Sequence, residues 1–264
     1  IGFSVILYLA IGPFFAIPRA GTVSYEIGIK PFFSESTSHW PLLIFTVLFY
    51  TVACLLSLNP TKIVDVVGKV LTPIKITFIG LLIVVAVLHP IGSFQNPLKT
   101  YQSNAFFNGF QEGYMTLDAL GAFVFGIIII AAIKEKGVTS KRQLLLICTK
   151  ASLIAAALLA ITYTALAFMG ASSVSEIGQL ANGAEILSAV SDHYFGEYGA
   201  ILLGLMITVA CMTTSVGLIT ACASFFSALV PKISYVKWTI GLSVFSALVA
   251  NIGLNQLLAV SKPV

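Results

Sequence analysis

The chain has 264 residues, 58% of them apolar and 9% charged, with a mean hydropathy of +1.00. Soluble domains carry about 25% charged residues, so a water-soluble fold is excluded and a polytopic, all-α membrane protein is the default expectation. The 14 basic and 10 acidic residues leave a formal net charge of +4. That is too little to build a phosphate-facing patch, so no nucleic acid is expected as a partner; the lipid bilayer is.

A bilayer core about 30 Å thick takes about 20 apolar residues in a helix. In chain order the first such run starts at Ile1, passes Gly12-Pro13 and reaches about Pro18, with a continuation past Arg19 to Ile29. Pro13 and Pro18 each remove a backbone donor, so this helix is expected to be kinked or broken. Arg19 is open to three roles: pairing with a substrate carboxylate, pairing with Glu26, or snorkelling to the outer interface. The second segment runs from about Pro41 to Leu58 and stops at Asn59-Pro60; the third runs from about Leu71 to Leu88 and stops at His89-Pro90.

The fourth spans roughly Gly109 to Ile133, the fifth Leu144 to Met169, the sixth Ala200 to Leu229 and the seventh Trp238 to Ala259. These unbroken apolar runs lack the alternation of barrel strands, so helices remain. The intervening stretches Ala20 to Trp40, Ile91 to Asn108 and Ala171 to Gly199 read as loops, with a short interfacial helix over Gly183 to Val190. Ile1 opens inside an apolar run and Lys262-Pro263-Val264 interrupts another, so the chain is expected to be a fragment.

Suppose the first segment leaves the cytoplasm. One side then holds Lys62, Lys69, Lys75, Lys134, Lys136, Lys141, Arg142, Lys150, Lys232 and Lys237, and the other Arg19, Lys30 and Lys99. This bias places the basic side in the cytoplasm. Trp40 and Trp238 fall at helix ends, where an interfacial belt puts them. Cys54, Cys148, Cys211 and Cys222 lie in apolar runs without metal or disulfide spacing and read as free thiols. His39, His89 and His193 sit in expected outside loops with no ligand spacing, so no metal cofactor is expected beyond a coupling ion. The chain holds no nucleophile elbow, phosphate loop or dinucleotide-type glycine pattern, so neither an enzyme nor an ATP-driven pump is indicated.

The stretch from Ser103 to Gly126 enters a membrane helix yet carries Glu112, Gly113, Tyr114, Thr116, Asp118 and Gly121. A carboxylate at membrane depth marks a functional site by default; the competing account has Asp118 capping a helix near the surface. Glycines on both sides of Thr116 suit a helix that unwinds mid-membrane, where free backbone groups bind substrate and ions. Packing of small residues between helices is the other account.

In the sixth segment Ala210, Thr213 and Thr214 recur at i, i+3 and i+4, which sets a carbonyl and two hydroxyls on one helix face. Neutral oxygens suit a hard cation such as Na+ and not zinc or copper. On spacing alone, ordinary hydroxyl bonding within or across helices is the stronger account.

At Ile11 to Gly28 and Ser103 to Asp118 the chain closely resembles the bacterial branched-chain amino acid carrier family, the leucine/isoleucine/valine:cation symporters. The likeness extends through Ala181 to Leu187, Thr213 to Leu218 and Asn251 to Gln256, and so covers nearly all of the chain. The family is grouped with the amino acid–polyamine–organocation superfamily, whose leucine-transporter-like fold repeats five helices in inverted orientation. The resemblance implies one transmembrane transporter domain over 1–264, comprising helices three to nine and the start of ten, with the glycine-rich first helix missing. An isolated polypeptide of this span is not expected to transport, whereas its full-length parent is.

By the same resemblance the fourth segment is a broken sixth helix and the sixth segment is an eighth helix. In sodium-coupled members that eighth helix offers a carbonyl and two hydroxyls, which makes Ala210, Thr213 and Thr214 a cation site and reverses the packing account. Leu117 stands where the family's usual methionine is expected, an apolar exchange. The implied function is secondary active symport of leucine, isoleucine or valine with Na+ or H+ across a bacterial cytoplasmic membrane. Gly113, Tyr114, Thr116 and Asp118 would hold the zwitterion, with Phe110, Phe107 and Phe123 against the aliphatic tail; Asp118 would carry the proton if H+ is the coupling ion. An ion channel or a structural membrane subunit is the rival reading. The oligomeric state is not legible.

Overall fold

The computed structural model describes residues 2–32, 40–58, 72–253 and 256–257. Every regular element among them is helical. The first segment is a short helix α1 (Gly2–Leu9), a π-turn (Ala10–Phe14) and α2 (Ala16–Gly28); then come α3 (Trp40–Ser57) and α4 (Thr72–Leu88). A single turn (Lys99–Gln102) precedes α5 (Ala105–Tyr114), followed by α6 (Asp118–Glu135), α7 (Lys141–Ile177), α8 (Gly183–Leu229) and α9 (Tyr235–Ala250). Five helices are long and apolar enough to cross a membrane, counting Gly2–Gly28 and Ala105–Glu135 as one each, and the shorter apolar helices Ile76–Leu88 and Tyr235–Ala250 occupy the third and seventh expected segments.

The expected kink in the first segment is present. Gly12 leaves helical geometry (φ −75°, ψ −112°) and Pro13 follows inside the π-turn. The break sits against α8, because a Cβ on Gly12 would lie 2.6 Å from the Cys222 sulfur. The Cys222 thiol donates to the Tyr8 carbonyl at 3.5 Å, which ties α8 to α1 beside the break. Further along, the Tyr50 hydroxyl of α3 donates to Ile17 O at 2.7 Å. Gly21 permits that approach, since a Cβ there would meet the tyrosine oxygen.

Helix α2 makes its most extensive contact with α8. At Gly204 a Cβ would sit 2.9 Å from the Gly28 Cα, and at Gly28 it would sit 2.5 Å from the Thr208 hydroxyl oxygen. Two helices lacking side chains at the crossing approach backbone to backbone, which is how membrane helices associate when lipid offers no hydrophobic drive. A buried cluster that includes Tyr8, Ile17, Phe49, Val124, Ile219 and Leu242 joins this pair to α3, α6 and α9.

Several loop expectations are corrected. Ala171 to Gly199 is nearly all helical: α7 continues to Ile177, and α8 begins at Gly183 with the Asn182 side chain accepting from the backbone N–H of Ala184 and Glu185. Capping makes that early start possible by satisfying amides that a helix beginning there leaves unpaired. His193 accordingly lies in α8 and not in a loop. Gly196 (φ +60°, ψ −155°) turns the chain between the short expected helix and the membrane-crossing part, a conformation that glycine adopts at little cost. The fifth segment is also longer than expected, 37 residues.

The expected continuation of the seventh segment to Ala259 falls mostly outside the described residues, as do Lys62, Lys69, Lys262 and His39. Cys222 is buried and Cys54, Cys148 and Cys211 are half-buried, and none of the four is in a disulfide.

Candidate functional site

The fourth segment is interrupted. Helix α5 ends at Tyr114, α6 starts at Asp118, and Leu117 between them takes a left-handed conformation (φ +67°). The residue expected to supply that freedom was glycine, yet Gly113 and Gly121 are not among the positive-φ glycines and have open space where a Cβ would stand. The interruption leaves one helix ending in carbonyls and another starting in amides, side by side within one segment.

Two other segments reach into this break. Arg19 of α2, half-buried, donates from Nη1 to the Met115 carbonyl at 3.1 Å. It does not pair with Glu26, which binds Lys30 at 2.6 Å. A cation at the carbonyl end of α5 meets the negative pole of that half-helix. From α7, the Tyr163 hydroxyl donates to Asp118 Oδ2 at 2.5 Å. The Thr116 hydroxyl lies 2.8 Å from the same oxygen and 2.8 Å from Gly113 O, and its single proton serves one or the other.

Asp118 thus occupies the first turn of α6, where a carboxylate suits the helix pole, but its bonds go to hydroxyls and not to backbone amides as simple capping would require. Arg19 holds the carbonyl three residues before Asp118, and Tyr163 holds the Asp118 carboxylate, so cation, phenol and carboxylate gather at one break. Tyr163 was not anticipated from the residues. A polar Thr-Tyr-Thr triplet inside the otherwise apolar fifth segment was the available signal, because a phenol at membrane depth needs a partner.

The aromatic side chains expected to hold an aliphatic tail are in place by position but not gathered: Phe107, Phe110 and Phe123 are 69%, 67% and 68% exposed, and Tyr114 is half-exposed. The hydroxyls expected at the cation site bond to their own helix. Thr213 Oγ1 donates to Val209 O at 2.6 Å, and Thr214 Oγ1 donates to Ala210 O at 3.1 Å. The Ala210 carbonyl and the Thr214 hydroxyl therefore share one face as the spacing implies, while Thr213 turns to the neighbouring carbonyl. Helix α6 packs on α8 close to this level, with a Cβ on Gly217 placed 2.8 Å from the Phe125 ring.

The family described as branched-chain amino acid transport protein matches residues 1–264. Among curated proteins, the branched-chain amino acid permease BrnQ of Bacillus subtilis (strain 168) is 68% identical over 262 residues, which is 99% of this chain and 60% of that protein. The permease BraB of the same organism is 48% identical over 262 residues, 99% of this chain and 59% of BraB. The branched-chain amino acid transport system 2 carrier protein of Pseudomonas aeruginosa is 45% identical over 264 residues, 100% of this chain and 60% of that carrier. The chain spans about 60% of the length of these relatives. No solved structure matches it.

Proposed function

We propose, from the premise that the chain belongs to the branched-chain amino acid transport protein family, that it works as a cation-coupled symporter of leucine, isoleucine and valine. The family is one of transporters, and with its several apolar helices the chain is a multi-pass bacterial membrane protein. Symport, the coupling ion, the inverted-repeat fold and the three substrates are the finer parts of the reading.

The observation that carries them is the interrupted helix at Met115 to Leu117, with Asp118 opening its second half and Arg19 and Tyr163 brought to it from other segments. Ionisable groups and unwound backbone are stable at membrane depth only where they are enclosed by protein or line a cavity that something polar enters. In this reading Gly113, Tyr114, Thr116 and Asp118 face the polar end of the amino acid and Phe110 its tail. Ala210, Thr213 and Thr214 take Na+, their hydroxyl oxygens keeping lone pairs free while their protons remain on helix carbonyls. Ion binding favours the substrate-ready conformation, which couples the two sites thermodynamically.

The test is leucine uptake into proteoliposomes under an imposed inward Na+ gradient, with the wild-type protein against a Thr213→Ala/Thr214→Ala double variant. Wild type is expected to accumulate leucine and the variant to lose the Na+ dependence. Accumulation driven only by a pH gradient overturns the Na+ site and moves the coupling role to Asp118. Absence of accumulation under either gradient overturns symport.

A further inference from the structure

The break between α5 and α6 has two poles. At the carbonyl end stands the Arg19 guanidinium, which uses one of its five N–H donors on Met115 O and keeps others free. At the amide end stands Asp118, whose Oδ2 accepts from Tyr163 and has the Thr116 hydroxyl 2.8 Å away. Arg19 and the Asp118–Tyr163 pair bond to the two sides of the same short interruption, at Met115 and at Asp118. Neither charge forms a salt bridge; the ion pair among the described residues is Lys30–Glu26.

A cation and an anion that share one interrupted helix, yet do not neutralise each other, form a frame for a molecule carrying the opposite pair of charges. We infer that Arg19 binds the α-carboxylate of the transported amino acid, with Tyr163 as a positioning residue that orients Asp118 toward the ammonium. This deepens the reading of the preceding subsection and rests on it.

A guanidinium matches a carboxylate with parallel donors in a fixed fork. Its anchoring on Met115 O fixes the orientation of the plane before the ligand arrives, so little entropy is lost on binding. Tyr163 holds one carboxylate oxygen of Asp118 and leaves the other to accept from an ammonium. The arrangement selects zwitterions: a ligand lacking its carboxylate leaves Arg19 unsatisfied, and rejection of that kind is stronger than rejection by size.

The protein as its gene encodes it, reconstituted in proteoliposomes, is assayed for leucine uptake and for competition by leucinamide, which keeps the ammonium and the tail but has no carboxylate. For wild type, leucine is expected to be strongly preferred. For Arg19→Gln the leucine KM is expected to rise about ten- to a hundredfold, the loss typical of a charge-assisted hydrogen bond, while inhibition by leucinamide stays within about twofold of wild type. Arg19→Lys, which keeps the charge, is expected to recover part of the leucine affinity.

Equal weakening of leucine and leucinamide in Arg19→Gln would mean that Arg19 serves only to hold the Met115 carbonyl, and would overturn the proposal. An unchanged leucine KM overturns it as well while leaving the transport reading intact. Wild type that neither transports nor binds leucine overturns the transport reading itself, and this inference with it.

Discussion

Leu117 shows how a local rule gives way at a site. A left-handed conformation costs a residue with a side chain about 1–2 kcal/mol, and such strain persists where the surroundings over-determine the backbone. Here Arg19 holds the carbonyl just before the turn and Tyr163 holds the carboxylate just after it. The glycines at 113 and 121 pointed to the right stretch for a reason that turned out not to be the operative one. The contribution of Tyr163 can be separated from fold. Tyr163→Phe keeps the ring and removes the donor; because the phenol is 42% exposed, the low end of charged hydrogen-bond energies applies, about 1.5 kcal/mol. Leucine uptake is expected to fall about tenfold with the melting temperature in detergent unchanged, and uptake equal to wild type would remove Tyr163 from the site.

Among the elements, the α2–α8 crossing is the contact on which the others are built, and it depends on two residues having no side chain. A methyl at Gly204 would press on the Gly28 backbone, which cannot move aside as a flexible side chain can. Gly204→Ala is therefore expected to destabilise the protein by about 1–3 kcal/mol, the usual cost of overpacking, read as a lower melting temperature in detergent. Gly241→Ala is the comparison: its Cβ would have nothing within 4 Å, so helix propensity alone predicts a gain of about 0.5–1 kcal/mol. Equal effects of the two substitutions would show that the close approach is not what holds the pair. Helix α7 has the opposite character. Leu145, Leu153, Ile154 and Ile161 are each more than 60% exposed, a surface that lipid tolerates and water does not.

At the scale of the whole molecule, the length of α7 ties the distribution of charge to membrane topology. Its 37 residues extend about 55 Å at 1.5 Å per residue, well beyond a hydrocarbon core of about 30 Å. A helix of that length that crosses the bilayer has its two ends emerging on opposite sides. Residues 134–142, around its start, carry Lys134, Lys136, Lys141 and Arg142, whereas residues 171–199, around and beyond its end, carry Glu176, Glu185, Asp192 and Glu197 and no lysine or arginine. In a background with the four native cysteines replaced, Lys136→Cys is expected to react with an impermeant maleimide from the cytoplasmic side and Gln179→Cys from the outside. Labelling of both from the same side would refute the charge-based orientation.

Much of this was legible in the residues because each signal was local. Helix positions follow from uninterrupted apolar runs, the kink in the first segment from Gly12-Pro13, and the disturbed fourth segment from a carboxylate among glycines, since each depends on chemistry within a few positions along the chain. Lost on the same reading were the extension of the helix expected over 183–190 on to 195 and the reach of α7 to Ile177, because a side-chain cap and exposed polar faces stabilise helices that hydropathy alone does not mark. What joins the site was decided by packing. Arg19 lies 96 positions from Met115 and Tyr163 lies 45 from Asp118; no periodicity connects residues so far apart. Only the crossing of α2 and α7 with the interrupted helix brings those donors within hydrogen-bond distance, and with them the pairing of charges that a zwitterion would need.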